Sequence, residues 1–289
     1  MLLPVLAALL VVGVACAVYG VAIERYRYRL TRYRLAILPA GSSTSLTVLH
    51  LSDLHVVRGS ERLRTFLASL PAADVTTVTG DIVGEPEAVE EAVAILRQVR
   101  GRLASYFVLG SNDYYVPRPF NPLRYFRKSR KRRRGYRGRA RELVAQLETD
   151  GWVHLRNVRV DAELDGTRVE LLGLDDPHIG RQDLRVAPRR HPERFGLAVA
   201  HSPDPMPELA ALGYDLVVYG HTHGGQVRLP FVGALVTNSH VPRRLVSGLM
   251  RLGDGYAHIS PGLGTSKYAP FRFLCRPEAS LLELSPAAN

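Results

Sequence analysis

Five short clusters of potential metal donors occur in order along the chain: Asp53-x-His55, Gly80-Asp81, Gly110-Ser111-Asn112-Asp113, His201 and Gly220-His221-Thr222-His223. Carboxylates and imidazoles hold borderline divalent cations, and a carboxylate shared by two cations screens their mutual repulsion. Taken singly, an Asp-x-His is more often a capped turn and a Gly-Asp an ordinary bend. Together and in this order they form the donor set of a two-cation site.

Each cluster ends an apolar run with strand character. Ser45 to Leu51 leads to Asp53, Asp74 to Thr79 to Asp81, and Ala104 to Leu109 to the third cluster; Gly196 to Ala200 and Leu216 to Tyr219 precede the last two. Between them, Ser60 to Leu70, Pro86 to Arg100 and Arg139 to Thr149 have helical periodicity, the second opened by proline. Alternating strands and helices predict an α/β domain, in which functional groups collect beyond the carboxyl ends of the strands.

Composition bounds the remaining organisation. The 289 residues suffice for one large domain with an appendage, and two cysteines, Cys16 and Cys275, suggest neither a disulfide framework nor a thiolate metal site. The net charge of +11 is localised: eleven Lys and Arg lie between Arg124 and Arg141 without an acid, and the rest balance the Asp and Glu. Such a segment resists packing and suits anionic lipid headgroups. Leu2 to Ile23 carries no charge, and roughly 22 residues at 1.5 Å each span about 33 Å, enough to cross a hydrocarbon core. Arg25, Arg27, Arg29, Arg32 and Arg34 follow it, so the positive-inside rule places the larger domain in the cytoplasm. The organisation expected is a transmembrane anchor (1–24), a basic juxtamembrane linker (25–44) and a catalytic domain (45–289) with a basic insertion (124–141).

The ordered clusters, with Leu172-Gly173-Leu174-Asp175-Asp176-Pro177, His201-Ser202-Pro203-Asp204, Gly224-Gly225-Gln226, Gly262-Leu263-Gly264 and Arg276-Pro277-Glu278, resemble the calcineurin-like metallophosphoesterases, in particular a membrane-associated bacterial branch. The resemblance spans about residues 45 to 286. It implies a four-layer αββα sandwich preceded by one transmembrane helix. It also implies two divalent ions (Mn2+, Fe2+ or Zn2+, with Mn2+ favoured). Asp53, His55 and His223 would hold the first, Asp81 would bridge, and His201, His221 and an amide from the third cluster would hold the second. Metal-activated water would then attack phosphorus, and because the imidazoles must be neutral to bind, activity should fall in acid.

The third cluster departs from the family pattern Gly-Asn-His-Asp or Gly-Asn-His-Glu. An ungapped match puts Ser111 at the metal-binding Asn and Asn112 at the proton-donating His; a loop longer by one residue makes Asn112 itself the ligand. Either way the motif has no histidine, which favours leaving groups of low pKa, such as pyrophosphates or activated phosphodiesters. Asn112 and Asp113 are the catalytic candidates. Asp175 and Asp176 follow an apolar strand and fit either the site or a turn before Pro177, while His178, His191, His240 and His258 read as structural or surface residues. The expected activity is metal-dependent hydrolysis of a membrane-associated phosphorylated lipid or nucleotide-type substrate, with no obligate protein partner. A membrane-tethered nuclease, suggested by Tyr125, Phe126 and Tyr136 among the basic residues, and a metal-binding scaffold without turnover are the rivals.

Overall fold

Alternate side chains along the buried strands belong to different cores, and this sorts the molecule into layers. The computed structural model describes residues 2–117 and 136–287. The apolar N-terminus forms α1 (Leu2–Val18), which runs on through a π turn (Tyr19–Ile23) and a 3-10 turn (Glu24–Tyr26). Next come β1 (Arg29–Leu38), β2 (Leu46–Leu51), α2 (Glu61–Ala68), β3 (Val75–Thr79), α3 (Val89–Arg97), β4 (Ala104–Val108), the one-turn α4 (Ser111–Tyr114), α5 (Ala140–Thr149) and β5 (Val153–His154). The second half contains β6 (Val158–Leu164), β7 (Thr167–Leu174), β8 (Phe195–Ala200), α6 (Met206–Ala211) and β9 (Leu216–Tyr219). It ends with a small hairpin, β10 (Arg228–Leu229) and β11 (Gly233–Ala234), then β12 (Gly248–Leu252), β13 (Gly255–Ile259) and β14 (Glu278–Pro286).

Two six-stranded mixed sheets result, ordered β1-β14-β2-β3-β4-β5 and β12-β13-β9-β8-β7-β6. Leu197, Val199, Leu216 and Val218 point into a core shared with Val48, Val75 and Leu282 of the other sheet. Their neighbours Ala198, Ala200, Val217 and Tyr219 pack under α6 with Met206 and Leu209. On the far side, Leu49 and Leu51 of β2 meet Leu63, Leu67, Val93, Leu96, Leu143 and Leu147 of the helices α2, α3 and α5. The strands are apolar on both faces because both faces are covered. The layering is αββα, as the resemblance implied.

The juxtamembrane assignment needs correction. Residues 29–38 are not a linker but an edge strand, in parallel register with β14 from Arg29↔Glu278 to Leu38↔Pro286. Leu35 and Leu38 are buried in the intersheet core, while Arg32 and Arg34 point outward and pair with Glu283 at 2.8 and 3.0 Å. Arg32 and Arg34 alternate along the polar face of this strand, Arg29 pairs with Glu278 at its start, and Arg25 and Arg27 precede it. In the segment Arg124 to Arg141, positions 124–135 lie outside the described residues, as do Tyr125 and Phe126; Arg141 lies in α5.

Candidate metal centre

The first two ligand loops are zipped together by their backbones. Asp53 N donates to Gly80 O (3.0 Å), His55 N to Asp81 O (3.0 Å) and Val56 N to Ile82 O (2.9 Å). The turns that aim the side chains are strained: Asp53, His55, Asp81, His221 and His223 all have positive φ, between 45° and 70°. A non-glycine residue in that region costs about 1–3 kcal/mol, so five of them in one place mark a geometry imposed by the fold. Gly220 permits the closest approach, since any Cβ there would run into the Ser52 hydroxyl.

Ligand atoms of Asp53, His55 and His223 lie within 4.8 Å of one another, as do those of Asp53, Asp81 and His201. The two groups share Asp53, and Asp81 faces a histidine on each side. One of its oxygens, Oδ2, lies 3.6 Å from His55 Nε2, and the other, Oδ1, lies 3.6 Å from His201 Nε2. His55 Nε2 and His223 Nε2 are 3.2 Å apart on the first side, and His201 Nε2 and His221 Nδ1 are 3.2 Å apart on the second. Asn112 comes to the same carboxylate, its backbone N–H donating to Oδ1 (2.8 Å) and its amide contacting Oδ2 (2.5 Å).

Neighbouring groups orient these donors. His201 Nδ1 is held by Thr79 O at 2.6 Å, which leaves Nε2 toward Asp81. Asp53 Oδ2 accepts from Ser52 Oγ (2.5 Å) and His221 N (2.9 Å), while its Oδ1, buried and without a hydrogen-bond partner among the described residues, lies 3.5 Å from His223 Nε2. An orphaned buried carboxylate oxygen facing imidazole nitrogens is the donor set a divalent cation fits.

The electrostatics agree. Burial raises the pKa of Asp53. Burial disfavours charge on His201 as well, yet the carboxylates of Asp81, Asp176 and Asp53 push its pKa up to about 9. Burial also opposes ionisation of Asp81, but the imidazoles of His201 and His55 and the bonds from Asn112 outweigh it and keep its pKa low. The negative field that holds a proton on His201 is the field that attracts a cation.

Asp113, a catalytic candidate by sequence, is held by backbone donors of two loops. Its Oδ1 accepts from Ile82 N (2.8 Å) and Val83 N (3.0 Å), and its Oδ2 from Gly110 N (2.9 Å). With both oxygens committed to backbone donors, the residue braces the third loop against the second. Asp175 is similarly engaged, accepting from Tyr114 Oη (2.7 Å), Arg156 Nε (3.1 Å) and Arg181 Nε (3.0 Å). Asp176 turns toward the centre; burial pushes its pKa up to about 7, with the charge of Asp81 adding to the rise.

Two neighbours of the site were not apparent from sequence. His178, read there as structural or surface, lies with its ring centroid 4.0 Å from that of His221. Arg272, fully buried, donates through Nη2 to the carbonyls of Pro261 (2.9 Å), Gly262 (3.1 Å) and Gly264 (2.7 Å), 3.5 Å from His223 Nδ1. No motif announces either contact. His258 pairs with His50 between the sheets, and His191 lies 3.4 Å from Glu193.

A cluster of divalent-metal donors at the strand ends of an αββα sandwich is the arrangement of a metallophosphoesterase. The calcineurin-like phosphoesterase profile matches residues 46–225, and the chain belongs to that family, as a phosphoric ester hydrolase with divalent-metal donors. It is 26% identical over 242 residues to the uncharacterized metallophosphoesterase YkuE of Bacillus subtilis (strain 168), covering 81% of this chain and 76% of that one. It is 36% identical over 138 residues to the phosphodiesterase YaeI of Escherichia coli (strain K12), covering 48% and 49%. A Bos taurus transmembrane protein with a metallophosphoesterase domain is 29% identical over 267 residues, covering 85% of this chain and 54% of its own length.

Proposed function

We propose that the chain is a membrane-anchored, dinuclear phosphohydrolase that cleaves phosphodiester or pyrophosphate bonds of a membrane-associated substrate. The observation that carries the dinuclear reading is Asp81, one carboxylate with an oxygen toward each histidine pair. Asp53, His55 and His223 would hold one cation, and His201, His221 and the Asn112 amide oxygen the other, with Asp81 common to both. Bound divalent ions, Mn2+ favoured, would supply Lewis acidity at the phosphoryl oxygens and activate the attacking water in this mixed imidazole and carboxylate set. The residues of the chain fix the donors, and the third cluster, Gly110-Ser111-Asn112-Asp113, supplies no histidine to protonate a leaving group, so a leaving group that departs without protonation is preferred.

The likeness to a phosphodiesterase supports the reaction class. Leu3–Tyr26, long and apolar enough to span a bilayer and exposed over nearly its whole length, supports the anchor. Arg25 to Arg34 on its C-terminal side support a cytoplasmic catalytic domain, and Arg124 to Arg141 would lie on anionic headgroups, with binding lost as salt rises.

Metal analysis of protein loaded with manganese tests the centre, with two equivalents expected and fewer than one overturning it. A panel of phosphomonoester, phosphodiester, nucleotide-sugar pyrophosphate and lipid phosphate then tests the substrate class. Preference for the phosphomonoester would refute the leaving-group argument.

A further inference from the structure

Strand directions place the apolar helix at the same end of the sandwich as the metal donors. β2 and β3 run parallel and deliver Asp53 and Asp81 from their C-terminal ends. β14 is antiparallel to β2, and β1 is parallel to β14, so β1 begins where β2 ends. The segment that joins α1 to β1 therefore arrives beside the metal loops.

The contacts are direct. Arg272 N donates to Gly20 O (3.2 Å), Cys275 N to the buried Glu24 carboxylate (2.6 Å), and the Tyr19 ring meets Phe273 edge-on at 6.2 Å. Phe273 in turn holds the base of the β10–β11 hairpin, through Arg228 N to Phe273 O at 2.9 Å. Among the described residues outside the N-terminal helix, eight large apolar residues are notably exposed, and five of them (Leu229, Phe231, Val232, Tyr268 and Leu274) belong to this hairpin and the adjoining loop. Phe231, at the hairpin tip, is fully exposed. An apolar tip in water costs free energy unless it has an apolar partner.

The charges match one partner. A recess of about 430 Å³ at the helix base is lined by Tyr19, Glu24, Arg27, Arg228 and Arg276 among others. Arg27 bonds the Tyr19 hydroxyl, Arg228 the Ser247 hydroxyl and Arg276 the carbonyls of Arg27 and Tyr28; among the described residues none of the three forms an ion pair. Guanidiniums and a tyrosine at the end of an apolar helix suit the level of lipid phosphates.

We propose that the tip of the β10–β11 hairpin, Phe231 and Val232, inserts into the bilayer interface beside the N-terminal helix, so that two contacts hold the metal-bearing end of the sandwich facing the lipid. This rests on the anchored reading above. It also explains how a hydrolase tethered by one helix would reach a headgroup: its site opens toward the membrane instead of away from it.

The test uses the full chain reconstituted in phosphatidylcholine–phosphatidylglycerol vesicles with brominated acyl chains. Phe231→Trp and, independently, Val232→Trp report the tip. Glu163→Trp reports the opposite end, beside the Asp165 turn that bonds Thr44 ahead of β2. The native Trp152, buried in the helix-side core, gives a constant background. Tip emission should shift to the blue and be quenched by bromine, with Glu163→Trp unchanged. If the chain floats with the vesicles but both tip residues remain as open to aqueous iodide as position 163, the inference fails and the anchor stands. If the chain does not float with the vesicles, both fail.

Discussion

Asn112 is bonded twice to Asp81, through its backbone N–H to Oδ1 at 2.8 Å and through its side-chain amide to Oδ2 at 2.5 Å. The amide therefore lies at the carboxylate shared by the two histidine pairs, and a 180° turn of the amide presents its oxygen there instead. Asn112→Ala should cost about tenfold or more in kcat/KM and weaken one of the two metal equivalents. Ser111→Ala should cost less. Titrating manganese into both variants while following activity checks the ranking, and the reverse order would make Ser111 the ligand.

Asp81→Asn keeps the size of the side chain and removes its charge. The charge faces both pairs, so its loss should lower metal content toward one equivalent or less and cut kcat by on the order of 100-fold or more, beyond the usual effect of a residue that merely orients a ligand. Elemental analysis of the purified variant, with circular dichroism to show a retained fold, provides the measurement. Two tightly held equivalents in Asp81→Asn would remove the shared-carboxylate argument.

Asp113→Ala separates bracing from chemistry. It strands the backbone N–H groups of Gly110, Ile82 and Val83, and a lost hydrogen bond to a charged group costs about 1.5–3 kcal/mol. The variant should unfold several degrees lower and lose metal affinity, with the pH profile of its residual activity unmoved. A displaced acidic or basic limb without loss of stability would return Asp113 to a proton-transfer role.

The ligand clusters were legible because each lies at a strand end, where a short polar motif interrupts an apolar run, and Leu216–Tyr219 is the strand read from sequence. The edge strand Arg29–Leu38 was obscured by its arginines. Their apolar partners Tyr33 and Leu35 carried a period-two signal, but the carboxylates that neutralise them, Glu278 and Glu283, lie near the other end of the chain. Arg272 was illegible for the same kind of reason: its partners are mainly backbone carbonyls, which leave no trace in side-chain identity. The third cluster was ambiguous in alignment, and the loop conformation that brings Asn112 to Asp81 is a tertiary property.

A pH effect on stability should come from the intersheet pair His50 and His258, whose Nδ1 atoms are 2.8 Å apart in full burial. Burial lowers the pKa of His50 well below its usual value, aided by His258, and lowers that of His258 to about 3. Both are then neutral when folded, while the unfolded chain takes up protons near pH 6.5. Stability is fully present above that value and declines as pH falls through it toward 3. One unit below, each group costs about 1.4 kcal/mol. Urea unfolding of metal-free protein at pH 7.5 and 5.5 should show the loss, to which His55, His154 and His223, their pKa values also lowered by burial, add, and His258→Gln should reduce it by about 1.4 kcal/mol. An equal loss in His258→Gln would place the titration elsewhere.

The helix and the metal centre are joined through Gly20. A Cβ at that position would strike the Phe271 ring and the Arg272 carbonyl, whereas one at Gly13, on the same helix, would meet nothing within 4 Å. Arg272 is buried; burial lowers its pKa, yet a guanidinium remains charged at any working pH. It holds the carbonyls of Pro261, Gly262 and Gly264, and this turn packs on the first metal loop through Leu263 N to Ser52 O (3.0 Å) and Gly264 N to Asp53 O (2.6 Å). Displacing the helix end therefore shifts Arg272, and with it the turn behind Asp53 and the neighbour of His223. Gly20→Val should reduce kcat on a soluble phosphodiester by about 10- to 100-fold, the effect expected of misplaced ligand supports, while Gly13→Val retains parental activity. Both variants are assayed in detergent, with thermal unfolding to confirm that each remains folded. Equal activity in the two would mean that the helix tethers the enzyme without contributing to the geometry of its site.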